Sequence, residues 1–278
     1  MNLTPYEHSE LIPHGTLQTF DIEMTPYPDH RMRTIRVWLP EEYDGVRRFP
    51  VIYMHDGQGV FRGPDERPAM DMDRVLTALS AEGFTAIVVA VDTARTRDEE
   101  VTPPWLPAEP KTSHNGFPMP FFKGPSTTDT YADFIVKTLK PLIDEHFMTL
   151  PDAANTCIGG ASGGGCASYY MVMRDPEVFG RAFVYSPGFP LLDMEQILRM
   201  LNEYDMSRLA DVRIAFYNGD QAIDVTSVDD VLTIYRKHRE LGMDPEHLMF
   251  LFDSRQTHSN VAWNKYMPEV LRFLFLGK

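Results

Sequence analysis

Residues Thr156–Gly165 read TCIGGASGGG. The apolar start, 156–160, predicts a buried strand, and residues 164–174 carry apolar side chains at helical spacing. Between them, Gly160-Ala161-Ser162-Gly163-Gly164 fits G-x-S-x-G. The spacing has a steric reason: a nucleophile exposed on a sharp strand-to-helix turn needs small neighbours, so that strand and helix can approach. A helix starting just after Ser162 would also turn its positive end toward an anionic tetrahedral intermediate. A phosphate-cradling loop would need Lys-Ser/Thr after the glycines. A dinucleotide fingerprint belongs in the first βα unit, and this stretch comes too late in the chain.

Outward from this motif, apolar runs alternate with amphipathic ones, which predicts an α/β fold with a central, mostly parallel sheet flanked by helices. Residues 17–24 and 32–39 alternate apolar and polar and predict antiparallel strands. Further strands are expected at 50–54, 85–91, 182–186, 212–217 and 248–252. Helices are expected at 71–82, at 129–147 with a kink at Pro141, and at 193–203, 226–241 and 264–275. Residues 93–128 break the rhythm with seven prolines, together with Trp105, Phe117, Phe121 and Phe122. Such a long irregular segment after a strand is expected to lie over the site as a lid or pocket loop, the alternative being a packed surface meander.

A serine nucleophile needs a base, and three histidines follow Ser162. His238 in RKHRELG and His247 in a polar turn are expected to be solvated. His258, in the loop between the last apolar strand and the C-terminal helix, falls at the sheet edge that carries the motif. The acid should follow the preceding strand. Asp220 in the turn after RIAFYNG is the expected residue, with Asp224, Asp229 and Asp230 as alternatives; it would hold the imidazole tautomer. For the oxyanion, backbone N–H groups of Gly163 and of Gln58, in the His55-Asp56-Gly57-Gln58 turn after the 50–54 strand, are expected. Trp105 and Trp263 would add apolar substrate contacts. His55 and Asp56 have no partners at ligand spacing, so neither a metal nor any other cofactor is expected.

The 278 residues are 43% hydrophobic and 24% charged, with a formal net charge of −14. One domain spanning 1–278 is expected. The negative charge argues against nucleic acid and anionic membrane partners, leaving a small molecule as the expected partner. Two cysteines and an N-terminal stretch without an apolar run suggest a cytoplasmic protein. Self-association is left open, since nothing specifies an interface.

Three segments together resemble the putative-esterase family of α/β-hydrolases, which includes enterochelin-type, feruloyl and acetyl-xylan esterases, S-formylglutathione hydrolases and mycolyltransferases. They are VWLPEEYDG…RRFPVIYMHDGQGVF, CIGGASGGG with DPEVFGRAFVYSPGF, and THSNVAWNKYMPEVLRFLF, in family order across most of 33–275. The resemblance implies an α/β-hydrolase fold and a serine esterase, with Ser162 as nucleophile, His258 as base and the Gly163 and Gln58 amides as oxyanion hole. Asp220 would correspond to the acid, although some members resemble Ser–His dyads. RTRDEEVTPPW resembles an arginine-bearing loop near the substrate, which implicates Arg95 or Arg97. Ala161 and Gly163 stand where family members often carry serine and methionine. Acyl transfer to a sugar or other alcohol, and a non-catalytic binding protein, are the alternative readings.

Overall fold

The computed structural model describes residues 1–109, 122 and 124–277. Its strands are β1 (Thr4–Pro5), β2 (Thr16–Glu23), β3 (Met32–Leu39), β4 (Val51–Met54), β5 (Ile87–Val91), β6 (Thr156–Ala161), β7 (Arg181–Tyr185), β8 (Arg213–Gly219) and β9 (Leu248–Asp253). They form one sheet in the order β1-β2-β3-β5-β4-β6-β7-β8-β9. β2 and β3 pair antiparallel, as their alternation predicts, and β3 joins β5 antiparallel. From β5 through β4 to β9 every neighbouring pair is parallel. The central strands are buried on both faces, and each contributes to two cores at a period of two. In β5, Ile87, Val89 and Val91 face one core while Val88 and Ala90 face the other.

The helices follow from which core they cover. α1 (Met72–Ser80) and α8 (Asn260–Leu271) lie on one face, supplying Val75, Leu76, Leu79, Met267 and Val270. α3 (Thr128–Asp133), α4 (Lys140–His146), α5 (Gly163–Arg174), α6 (Met194–Glu203) and α7 (Val228–Glu240) cover the other, with α2 (Arg97–Val101) beside the site. The kink expected at Pro141 takes the form of a π-helical stretch, Phe134–Leu139, joining α3 to α4. Pro141 has no N–H for the carbonyl of residue 137, and the wider winding accommodates that loss.

His238 corrects the expectation of a solvated residue. It falls on the same α7 stripe as Val231 and Ile234, so it is fully buried, and its Nε2 lies 2.9 Å from the Tyr169 hydroxyl. Charged neighbours in RKHRE occupy the outer face of the same helix, which is why composition misleads here.

Burial pushes His238 down to about 4, and it pushes His55, at the end of β4, down to about 4 as well. The unfolded chain binds protons at both rings near pH 6.5, whereas the folded chain does so only near 4. Stability therefore rises with pH between those values and is lost as pH falls through them, by on the order of 3 kcal/mol for each ring. Urea midpoints are expected to drop steadily from pH 7 to 4.5, and less steeply in His238→Gln. An unchanged slope in that variant would exclude the ring as a source.

The sheet order also positions the site. From β4 the chain crosses to β5 on one side, and β6 then pairs on the other side of β4. Connections that diverge in this way leave a crevice at the carboxyl ends of β4 and β6, where ligands collect in open α/β sheets.

Candidate active site

β6 ends at Ala161 and α5 begins at Gly163, so Ser162 is the entire turn. Its backbone sits at φ 58°, ψ −125°, a strained region for a residue with a side chain. Neighbouring contacts hold that conformation: Ser162 N–H donates to Tyr185 O (2.9 Å), and Ser162 O accepts from Cys166 N–H (3.1 Å). The glycines around it are steric necessities. A Cβ on Gly160 would lie 2.9 Å from the Gly164 carbonyl carbon, so any larger residue would push helix from strand. At Gly163 a Cβ would meet Val101 Cγ2 at 2.6 Å and Arg97 Nη1 at 3.2 Å. The space that a methionine would take is thus occupied by α2, which accounts for the departure from the family pattern.

Ser162 and His258 line one cleft of about 340 Å³, together with His55, Asp56, Arg97 and Trp263. The loop after β9 carries His258, and Ser259 caps α8 by accepting from Ala262 N–H. His258 Nδ1 donates to Asp224 Oδ1 at 2.6 Å, which leaves Nε2 as the basic nitrogen. Among the described residues no hydrogen bond joins Ser162 Oγ to the ring. In ligand-free sites such bonds are commonly long and tighten when substrate binds.

The carboxylate against His258 is that of Asp224, where Asp220 was expected. β8 runs on to Gly219, and Asp220 then points outward to accept from Gln221 Nε2 (2.6 Å). A 3-10 turn, Ala222–Thr226, brings Asp224 back over the strand ends, where it is 1% exposed. Asn218 Nδ2 anchors this turn by donating to Asp224 O (2.9 Å). Reading the strand as ending at Tyr217 pointed to the first carboxylate of the turn; the returning turn makes it the second.

A residue that the sequence reading did not single out completes the arrangement. Ser186, just past β7 at φ 38°, donates to Asp224 Oδ2 (2.8 Å) and accepts from Trp263 Nε1 (3.0 Å). Trp263 also meets the His258 ring edge to face, with centroids 4.9 Å apart. Both oxygens of Asp224 are therefore engaged, and the imidazole is held from two sides. A serine after a strand, as in YSPGF, was the only available signal.

The opposite wall is equally tied down. Gln58 lines the cleft, its side chain donating to Thr93 O (2.9 Å) and accepting from Thr93 N–H (2.8 Å). Arg97 forks onto Asp56 through Nε (2.6 Å) and Nη2 (2.7 Å). α2 is held by buried Glu100, which accepts from Arg33 (2.7 Å), Arg31 (3.1 Å) and Thr96 (2.7 Å). Buried His55, its pKa pushed down by that burial, pairs through Nδ1 with the Tyr131 hydroxyl (3.0 Å).

Other expected contacts lie elsewhere. Arg95 is exposed and does not line the cleft. Trp105 is buried against Tyr169 and Tyr170, so its indole belongs to the core. Phe117 and Phe121, with residues 110–121 and 123 of the expected lid, fall outside the described residues. Both cysteines are buried and free, with their thiols pushed up by burial, Cys166 to about 12. Among the described residues no group of three or more His, Cys, Asp or Glu side chains could hold a metal ion, and no helix is long and apolar enough to cross a membrane.

Comparison with known proteins agrees with this fold. A ferulic acid esterase structure superimposes with a TM-score of 0.68 at 18% identity, over 94% of this chain and 99% of that one. The ferric enterobactin esterase of Salmonella typhimurium gives 0.68 at 14% identity, over 93% of this chain and 58% of that one. These likenesses establish the α/β-hydrolase fold. An endo-1,4-beta-xylanase/feruloyl esterase of Xylanibacter ruminicola is 26% identical over 197 residues, which is 66% of this chain and 23% of that protein. The chain thus spans less than a quarter of that relative. The Putative esterase family model matches residues 29–273, a span that contains the elbow, the acid turn and the His258 loop, and the chain belongs to that family.

Proposed function

We propose that this protein is a carboxylic ester hydrolase working through an acyl-enzyme on Ser162, with His258 as base and Asp224 as its orienting acid. The observation that carries this reading is the 2.6 Å bond from His258 Nδ1 to buried Asp224, in the cleft that Ser162 lines at a strained turn. His258 Nε2 takes the hydroxyl proton as Ser162 Oγ bonds to the ester carbonyl carbon. The oxyanion is held by the Gly163 and Gln58 N–H groups, each worth about 3 kcal/mol in the transition state. As the tetrahedral intermediate collapses, the bond to the alcohol oxygen breaks and His258 returns the proton to that oxygen. Water then attacks the acyl-enzyme with the same proton transfers, releasing the acid and regenerating Ser162.

Labelling with a fluorophosphonate followed by peptide mapping tests this directly: modification is expected at Ser162, alongside hydrolysis of p-nitrophenyl esters. A chain that neither labels nor hydrolyses any of them is a binding protein.

Ser186 enters this reading as a positioning residue. Removing its hydroxyl takes a donor from Asp224 and an acceptor from Trp263, both buried, so Ser186→Ala is expected to lower kcat/KM about tenfold or more. With Oδ2 less stabilised, the carboxylate favours a charged imidazole more strongly, and the acid limb of the kcat/KM profile is expected to move to higher pH. An unmoved limb would reduce Ser186 to a packing role.

A further inference from the structure

We propose that β9 is the contact edge of a two-fold homodimer, in which the β9 strands of two copies pair antiparallel and join their sheets, whatever chemistry Ser162 performs. The nine-stranded sheet has two edges, and the chain finishes them differently. β1, at one end, is only two residues long and closes with Pro5, which has no N–H to offer a further strand. β9, at the other, runs six residues in unbroken register with β8, its only neighbour in the sheet. Its sequence, LMFLFD, holds no proline or lysine. The single charge is taken up within the chain, because buried Asp253 accepts from Lys265 Nζ (2.8 Å) and from the Tyr266 hydroxyl. Phe252 is left 49% exposed. Among the described residues this edge therefore lacks the short length, bulge, proline or outward charge that ordinarily blunts one, while alternate residues direct their N–H and C=O outward.

A reversed copy of the same strand is the natural occupant. A two-fold axis normal to the sheet must pass through one residue pair, so one residue of β9 faces its own counterpart. Centring on Phe250 sets Leu248 opposite Phe252 and Met249 opposite Leu251, so all five apolar positions meet apolar partners. Centring on Leu251 would set Met249 against Asp253, and centring on Met249 would set Glu246 against Phe252. Phe250 already stands in an aromatic row, its ring centroid 6.0 Å from that of Tyr235 in α7 and 6.4 Å from that of Phe252. The copy continues this row across the axis.

Charge agrees with the same register. Exposed Asp244 and Glu246 precede β9, and exposed Arg255 follows it. In the reversed copy Arg255 falls opposite Pro245, between the two carboxylates, and symmetry repeats the contact at the other end. These contacts offset part of the repulsion between two chains of net charge −14. Because the strands run in opposite directions, the carboxyl edges of the two sheets point opposite ways, and both Ser162 clefts stay open.

One pair of strands this long lies at the small end of specific interfaces, so a dissociation constant on the order of 10 μM is expected. Sedimentation equilibrium of the full chain, from tenfold below to tenfold above that value, should show the mass rising from one chain to two. Phe252→Lys puts a charge on the open edge and is expected to weaken association about tenfold or more. Arg255→Glu should weaken it severalfold, and adding Glu246→Arg should restore it, since the exchanged pair forms across the axis. Phe250→Cys, oxidised in the folded state, should give a disulfide-linked dimer. Met249→Cys should not, because it is offset from its counterpart by two positions, beyond disulfide reach. Circular dichroism establishes that each variant is folded. A single-chain mass across the whole range overturns the proposal, as does a dimer that neither Phe252→Lys nor Arg255→Glu weakens. Linkage through position 249 and not 250 overturns it as well.

Discussion

Ser162→Ala is expected to cut hydrolysis of p-nitrophenyl esters by about 10⁴-fold or more while leaving the fold intact. The turn at Ser162 is maintained by its backbone, through the bonds to Tyr185 O and from Cys166 N–H, and alanine keeps both. Glycines on either side continue to allow the approach of β6 and α5. What disappears is the oxygen that bonds to the acyl carbon, and no other group in the cleft replaces it. Residual activity above the uncatalysed rate would come from oxyanion-hole donors acting on attack by water. Circular dichroism and a parent-like unfolding midpoint establish folding, and single-turnover assays measure the loss. Retention of more than about a hundredth of parental turnover would remove Ser162 from the reaction.

The second large effect separates two carboxylates that are four positions apart. Asp224→Asn is expected to lower kcat by about 10³- to 10⁴-fold, whereas Asp220→Asn should stay within about twofold. An amide at 224 can present a donor to His258 Nδ1, which favours the tautomer with its proton on Nε2, the wrong nitrogen for a base. It also loses the negative charge that stabilises the imidazolium as Ser162 is deprotonated. In that orientation the amide oxygen still accepts from Ser186, so the change is confined to the His258 side. Among the described residues Asp220 is bonded only to Gln221, at the surface, and its replacement alters a solvated turn. Kinetics of the two variants side by side decide the matter. Equal, small effects would mean that His258 works as a dyad without an orienting acid. A large loss at 220 alone would restore the original expectation.

Much of the fold was open to reading along the chain because its signals are local. Alternation in β2 and β3, β-branched runs in β4 and β5, and the glycine spacing around Ser162 each reflect constraints that act within a few residues. His258 was readable for a similar reason, since a histidine between the last strand and the last helix can only fall at one edge of the sheet. Errors came where a residue's surroundings depend on chain distant in sequence. His238 sits among charged residues on paper, yet its helical face turns it toward Tyr169. Trp105, in a proline-rich stretch that suggests a pocket, is taken up by Tyr169 and Tyr170.

By itself, then, the order of amino acids determined the layered α/β architecture, the elbow and the edge where Ser162 and His258 lie, because periodicity and steric demand are properties of short segments. Which aspartate meets His258, that Ser186 and Trp263 brace the pair, and that α2 fills the space beside Gly163 were decided only by the tertiary structure. Each depends on how turns from separate strands converge at one sheet edge. A difference of two residues in where a strand ends is enough to exchange one carboxylate for another.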